Sequence, residues 1–351
     1  MPSWIADIVA DESGRISFDR FMELALYDPD HGYYTRNISE IGASGDFSTG
    51  LTIGKTLACS IASWVKAEAK LLRLPATNII ELGGGSGTLS TQILQQFPPW
   101  QKVRYQILEI SPRLRALQQT RIRSKKVEWQ ASIGTALATV NWEAILVANE
   151  FVDAFPCKRY ELTASGWKEI FLRLDGASWK EELATSPLVD YPTISQSDWQ
   201  LGQRIELHAS YREWFADLAA HLRRGSVLTI DYGGTPTEIY SHRRHGTVRS
   251  YFQHERRENL EVYRQAGRQD ITADVNFVDL QDWGREVGFE SVSYMTQAKF
   301  LQTWAPFQNR REEESADSFL VDESGMGGIC KVLHQRKPRN PNHENRDAAV
   351  A

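Results

Sequence analysis

Residues 78–91 read N-I-I-E-L-G-G-G-S-G-T-L-S-T: a short apolar run, a cluster of glycines, then the start of a helical pattern. Ile79, Ile80 and Leu82 make the run, Gly83, Gly84, Gly85 and Gly87 the cluster, and Thr88 opens the helix. Glycine lets a backbone turn sharply and approach a ligand closely. A helix start offers N–H groups that no helical carbonyl satisfies, and these suit polar or anionic ligand atoms. The stretch therefore reads as strand, turn and helix around a nucleotide-type cofactor, or as a structural turn of the same shape. The spacing Gly83-x-Gly85-x-Gly87 is tighter than the G-x-G-x-x-G of dinucleotide sites. Two acids favour the cofactor reading. Glu81 lies inside the motif, and Glu109 closes the next apolar run, 105–108, where an acid grips a ribose diol. Ile110, the next residue, joins the candidate cofactor contacts.

Outward from this stretch, strand and helix patterns alternate. Strands are expected at 79–82, 105–109, 127–130 and 144–148, with helices at 88–97 and 112–123. Such alternation implies a parallel, doubly wound α/β sheet with ligands at the carboxyl ends of its strands. Upstream, 17–27 reads as a helix capped by Ser17 and stopped by Asp28-Pro29. Residues 30–34 read as a turn, 42–50 as a second glycine-rich loop, and 51–72 as an apolar helix. The expected layout is an N-terminal helical segment with a cofactor-covering loop (1–75), a main domain (76–335) and a disordered polar tail (336–351). Within the main domain, 157–207 reads as a β-rich insertion and 233–275, polar and rich in Arg and His, as a long loop or lid. A helix at 211–222, a fifth strand at 226–230, a helix at 277–287 and an antiparallel pair, 289–294 with 329–334, complete the reading.

With 351 residues, 41% of them hydrophobic, the chain can build a core without staples. A net charge of −5 argues against a general nucleic-acid binder. Cys59, Cys157 and Cys330 are far apart and suggest neither a disulfide framework nor a metal site. No run is long and apolar enough to span a membrane, and 1–14 has neither a basic n-region nor an Arg-rich presequence pattern. The expectation is a cytoplasmic protein working in a reducing compartment. Nothing in the sequence sets an oligomeric state.

The acid-x-Gly-x-Gly-x-Gly pattern with a second acid resembles the S-adenosylmethionine site of class I methyltransferases. In such a fold the end of the fourth strand faces the methyl acceptor. Here that end is Asn149-Glu150-Phe151-Val152-Asp153. Asn149, Glu150 and Asp153 are the candidate catalytic residues. Carboxylates there can orient a nitrogen lone pair, stabilise its positive charge and accept its proton. The structural alternative is a helix N-cap, with acids favoured by the dipole. Asp46 and Thr49, in the loop G-D-F-S-T at 45–49, are candidates for closing over the cofactor, or belong to a surface turn. Asp231-Tyr232-Gly233 lines the same cleft or caps the fifth strand. The basic cluster at 242–257 suits an acidic partner, or is a solvated loop.

Further segments tie the chain to one family. They are F-M-E-L-A-L-Y-D-P-D-H-G-Y-Y at 21–34, G-D-F at 45–47, L-E-I-S-P-R-L at 108–114, A-N-E-F-V-D-A-F-P at 148–156, I-D-Y-G at 230–233, G-T-V-R-S-Y at 246–251 and D-I-T-A-D-V-N-F at 270–277. With the glycine motif, these resemble the MidA (DUF185) family of S-adenosylmethionine-dependent methyltransferases, which includes the mitochondrial complex I assembly methyltransferase. The resemblance covers about residues 15–334. It implies a class I, Rossmann-like fold with an N-terminal extension and insertions, S-adenosylmethionine as cofactor, and, in the mitochondrial branch, methylation of a protein arginine. It also implies that Gly83, Gly85 and Gly87 line the methionine side, Glu109 holds the ribose, Asn149 and Glu150 face the acceptor, and Asp46 and Thr49 help close the cleft. Asp274 and Asn276 depart from the His and Asp of the family pattern, and the stretch after G-D-F departs too, all where a substrate can touch. The reading is a methyltransferase acting on a protein arginine. Its alternatives are a small-molecule acceptor, or a cofactor-binding assembly chaperone that transfers nothing.

Overall fold

The computed structural model describes residues 3–38, 55–176, 178–186, 199–306 and 322–338. The chain opens with α1 (Ser3–Asp11), the short strand β1 (Arg15–Ser17) and α2 (Phe18–Tyr27). α2 buries Phe18, Phe21, Met22 and Ala25, as its spacing predicts, and stops at Asp28 because Pro29 follows. Ser17 stands at the N-cap, but its side chain makes no capping hydrogen bond. A single π-type turn at Tyr33–Asn37 follows, pinned by Asn37 Nδ2, which donates to the carbonyls of His31 and Gly267 at 2.8 and 2.7 Å. The second glycine-rich loop, with Asp46 and Thr49, lies outside the described residues.

α3 (Lys55–Leu71) leads into the alternating region: β2 (Thr77–Leu82), α4 (Thr88–Gln95), β3 (Val103–Leu108), α5 (Pro112–Arg121), β4 (Val127–Gln130), α6 (Ile133–Ala138) and β5 (Glu143–Asn149). The six-residue α6, set by a Ser132–Thr135 capping box, is too short for a periodic pattern to reveal. The insertion carries β6 (Lys158–Thr163), β7 (Gly166–Asp175), β8 (Ser178–Ala184) and β9 (Arg204–Leu207). β8 runs along one edge of β7, while β6 and β1 share the other. The N-terminal segment is therefore not purely helical, because β1 is stitched into the insertion.

The chain continues through α7 (Ala209–His221), β10 (Arg224–Gly234), α8 (Pro236–Tyr240), β11 (Arg249–Phe252), β12 (Glu255–Glu258), β13 (Asp270–Thr272), β14 (Val275–Asn276), α9 (Phe277–Glu286), β15 (Glu290–Thr296), α10 (Gln297–Trp304) and β16 (Cys330–Lys337). The stretch read as a long loop or lid is thus folded, with a small antiparallel sheet in the order β12-β11-β13. Its strands are three or four residues long and charge-rich, which hides them from any apolar pattern. Disorder from residue 336 also fails at its start, because Arg336 and Lys337 belong to β16.

The main sheet has the order β15-β16-β10-β5-β2-β3-β4. The strands from β10 to β4 pair in parallel, and β16 is antiparallel to both neighbours. This is the doubly wound sheet expected. Its order reverses between β2 and β5, and a ligand crevice opens at the carboxyl ends of that pair. One face packs on α3, α4 and α10 through Leu57, Ile61, Leu89, Ile93 and Phe300. The other packs on α6, α7 and α9 through Leu137, Phe215, Leu218 and Leu280.

A buried polar cluster ties the last strand to α3. Glu68 accepts from Ser226 Oγ at 2.7 Å and from Arg336 Nη2 at 2.9 Å, and His334 Nε2 lies 3.3 Å from it. Burial alone raises its pKa, but hydrogen bonds from His334, Arg336 and Ser226 outweigh that and hold it down at about 2. A folded-state pKa below the unfolded one contributes stability above about pH 4.5, lost as pH falls towards 2. Glu68→Gln is expected to cost on the order of 2 kcal/mol at pH 7, and the gap from wild type should narrow by pH 3. Urea denaturation at the two pH values reads this, and a gap independent of pH contradicts it.

Candidate active site

At the carboxyl end of β2 the chain turns through Gly83 and Gly85, at φ of +69° and +51°. Gly83 N–H donates to the Leu108 carbonyl at 2.9 Å, which stitches the turn to β3. A Cβ at Gly83 would stand 2.9 Å from the Phe151 ring, so glycine is required both by conformation and by that close approach. Gly87, also left-handed at +78°, serves differently. It is the N-cap of α4, and a Cβ there would meet Ile122 and Gln118 of the neighbouring α5 region at 3.2–3.4 Å. It does not line the cavity described below, contrary to its expected place on the methionine side.

Glu109 sits just past β3. Its Oε1 accepts from Ser111 N–H and its Oε2 from Gln118 Nε2, both at 2.9 Å. Burial raises its pKa, against the pull of those hydrogen bonds. Gln118 also donates to the Gly85 carbonyl at 2.9 Å, and its Oε1 accepts from Trp129 Nε1 at 2.8 Å. One buried amide thus locks the glycine turn to the acid. Nothing in the sequence singles it out beyond its place four residues after Leu114 on α5. Glu81 is buried and accepts from Tyr105 Oη at 2.9 Å. Burial pushes its pKa up to about 8, with hydrogen bonds from Tyr105 and Ser90 opposing, so it is mostly protonated at neutral pH.

A cavity of about 760 Å³ opens at the sheet's switch point. At one end are Glu81, Gly83, Gly84, Gly85, Glu109 and the half-exposed Ile110. The other end gathers Asn149, Glu150, Phe151 and Asp153 from the turn after β5, with Tyr232 of β10. That turn is not a helix, so the expected N-cap alternative does not apply. Glu150 is left-handed at φ +47°, and its N–H donates to the Ile230 carbonyl at 2.8 Å. The N–H groups of Phe151, Val152 and Asp153 converge on Asp231 Oδ2 at 3.1, 3.0 and 3.2 Å. Asp231 therefore clamps the turn, and Tyr232 beside it lines the cleft.

Sequence reasoning missed the rest of this end. Tyr27 and Tyr34 reach it from the N-terminal segment, Arg249 and Tyr251 from β11, and Asp270 and Thr272 from β13. Tyr27 Oη donates to the Ala154 carbonyl at 2.9 Å and Tyr34 Oη to Asp270 Oδ1 at 2.7 Å, with the two rings stacked 5.8 Å apart. Burial lifts both phenols well above their ordinary pKa, so they remain protonated donors. Burial, then the charge of Asp270, pushes Asp153 up to about 7 against the opposing charge of Arg249. Arg249 donates to Asp274, which also pairs with Arg243. Asp274 therefore touches arginines, and Asn276 caps α9 by accepting from Val278 N–H at 3.1 Å. Neither lines the cavity, so the two departures from the family pattern are structural partners here and not the substrate contacts expected.

Comparisons with known proteins bear on the family and the fold. A family model for S-adenosyl-L-methionine-dependent methyltransferases matches residues 60–295. The protein arginine methyltransferase NDUFAF7, mitochondrial, of Danio rerio is 27% identical over 297 residues, covering 76% of this chain and 67% of the relative. The Homo sapiens protein of the same name is 25% identical over 296 residues, covering 76% and 64%. The chain thus spans about two thirds of these relatives' length. A crystal structure from Burkholderia thailandensis with bound S-adenosyl-homocysteine superposes with a TM-score of 0.82 at 25% identity, over 96% of this chain and 92% of that one. On its sequence, its sheet and its cavity, this chain belongs to a family of S-adenosyl-L-methionine-dependent methyltransferases of class I fold.

Proposed function

We propose that this protein N-methylates arginine side chains of a protein substrate. The observation that supports the reading is that Glu150, Asp153 and Asp270 line one cavity together with Tyr27 and Tyr34. A guanidinium is planar and cationic, so carboxylates bind it and aromatic faces stack on it. The names of the relatives support the same acceptor class.

The residues at the other end fit S-adenosylmethionine, which when bound supplies a methyl group on a sulfonium. The turn at Gly83–Gly85 puts bare backbone on the cavity wall, and Glu109 presents a buried carboxylate at the strand end. Gly83 and Gly85 would let the backbone approach the methionine portion, and Glu109 would accept from the ribose hydroxyls. Glu81, mostly protonated, lines the same end and is held by Tyr105. Glu150 and Asp270 would hold the guanidinium, and Asp153 would accept the proton that the acceptor nitrogen gives up. Asn149, beside Glu150, orients the acceptor. The cytoplasm is the proposed compartment, supported by three buried cysteines that form no disulfide, and fractionation of the native host checks it.

Incubating a lysate with isotopically labelled methyl donor, followed by mass spectrometry, tests the acceptor. Label on protein arginine supports the reading, and label confined to small molecules overturns it. Cofactor binding without transfer to anything favours the chaperone alternative. Glu109→Ala is expected to weaken S-adenosyl-homocysteine binding by roughly tenfold or more, since a charge-assisted hydrogen bond contributes about 1.5–3 kcal/mol. Equal loss in the exposed control Glu128→Ala, by calorimetry, removes the ribose role. Glu150→Gln should leave that affinity within about threefold while slowing transfer about a hundredfold. Because Asp153 must be ionised to take a proton, transfer should rise with pH and level off above about 7. In Asp153→Asn that rise should disappear, and an unchanged profile would assign the proton elsewhere.

A further inference from the structure

Outside the cavity, a depression of about 200 Å³ is lined by His242, Arg243, Arg244, His245 and Arg256, with Glu258 as the acid among them. These side chains are exposed on a protein whose net charge is −5. The loop carrying them is not a free solvated run. Gly246 takes a left-handed turn at φ +83°, Thr247 N–H donates to the buried Glu206 at 3.0 Å, and the Arg244 backbone carbonyl accepts from Arg204 N–H at 2.8 Å. The cations are therefore held in place. Arg256 pairs with Glu258 at 2.6 Å, whereas among the described residues no carboxylate pairs with Arg244, which donates to the Leu201 carbonyl.

The depression also adjoins the acceptor end. Asp274 pairs through one oxygen with Arg243, which lines the depression, and through the other with Arg249, which lines the cavity. A single carboxylate therefore separates cationic groups of the two sites. Residues 247–249 form the wall between them, with Thr247 accepting from Asp274 N–H at 3.0 Å. At that wall a single carboxylate is shared by two arginines.

We propose that this depression docks acidic residues flanking the acceptor in an extended segment of the substrate protein. The proposal rests on the protein-arginine reading and adds a sequence requirement to it. An extended strand advances about 3.3 Å per residue, so the carboxylates belong about two to four residues from the acceptor side chain. The acidic cavity takes the cation and the basic depression takes its neighbours. A substrate of mixed sign is thereby preferred over a uniformly basic one, which the depression repels.

Fluorescein-labelled peptides test this on the full-length protein with S-adenosyl-homocysteine present. One peptide carries a central arginine with glutamates two to four residues away, a second replaces those glutamates with glutamines, and a third keeps the glutamates but replaces the arginine with citrulline. By anisotropy at low salt, the first should bind at least fivefold more tightly than the second, and the advantage should shrink as salt rises. Arg244→Glu should abolish the advantage while leaving the glutamine peptide's affinity unchanged, and Arg244→Gln should reduce it partway. Equal affinity of the first two peptides, no detectable binding of the first, or an equal loss for both in Arg244→Glu overturns the proposal. The citrulline peptide separates the two readings. If it binds as tightly as the arginine peptide while the glutamate advantage persists, the docking depression stands and the arginine acceptor falls.

Discussion

The acceptor end depends on one carboxylate, that of Asp231, gathering three consecutive backbone N–H groups from the turn after β5. A chain leaving a parallel strand normally enters a helix, which would carry its acids away from the cleft. Here the three N–H groups are satisfied by Asp231 instead, and Glu150 accepts a left-handed backbone that a non-glycine residue adopts at a cost of about 1 kcal/mol or more. Other elements hold the same turn. Ala273 N–H donates to the Asp153 carbonyl at 3.0 Å, Tyr27 Oη to that of Ala154 at 2.9 Å, and Ser210 Oγ to that of Pro156 at 2.8 Å. The strained turn persists because β10, β13, α2 and α7 all determine it.

The charges of the site follow from this placement. Holding Asp153 and Asp270 near one another in a buried cavity disfavours ionising both. A raised carboxyl pKa means that the folded state holds its proton more tightly than the unfolded chain does. For Asp153 the associated stability is complete below its ordinary value of 3.8 and is lost as pH rises through about 7. The fold thus gives up stability at neutral pH by burying this carboxyl beside Asp270. Arg249 moderates the effect, and Arg249 in turn shares its charge with Asp274.

The cofactor end was legible in the sequence because it is local. Strand β2, the glycine turn, α4 and β3 are contiguous, and their ligand-facing groups lie on residues 81–110. Gly87 was misplaced because its spacing matches that of its neighbours while its Cα faces α5, a fact of packing that spacing does not carry. The acceptor end was only partly legible. Glu150 and Asp153 follow a recognisable strand, but Tyr34 and Asp270 are 236 positions apart in the chain and meet only through tertiary assembly. The stretch at 233–275 read as a loop because its polar, three- and four-residue strands draw their order from pairing and from buried ion pairs, not from an apolar stripe.

That asymmetry says how the two halves tolerate change. The cofactor end is one βαβ unit whose glycine turn is stitched to β3 by the Gly83 N–H and to Glu109 by Gln118. Altering a distant insertion leaves those bonds in place. The acceptor end has no such independence. Tyr27 belongs to α2, which follows directly on β1, and β1 is paired with β7 of the insertion, so a slip in that small sheet moves the tyrosines that line the cavity with Asp153 and Asp270. Arg159 couples the same sheet to the basic depression, donating to Tyr263 Oη at 2.6 Å and to the His245 carbonyl at 3.3 Å. The extension, the insertion and the small sheet are therefore one assembly that walls one side of the cavity, packed against a βαβ unit whose own bonds do not depend on it.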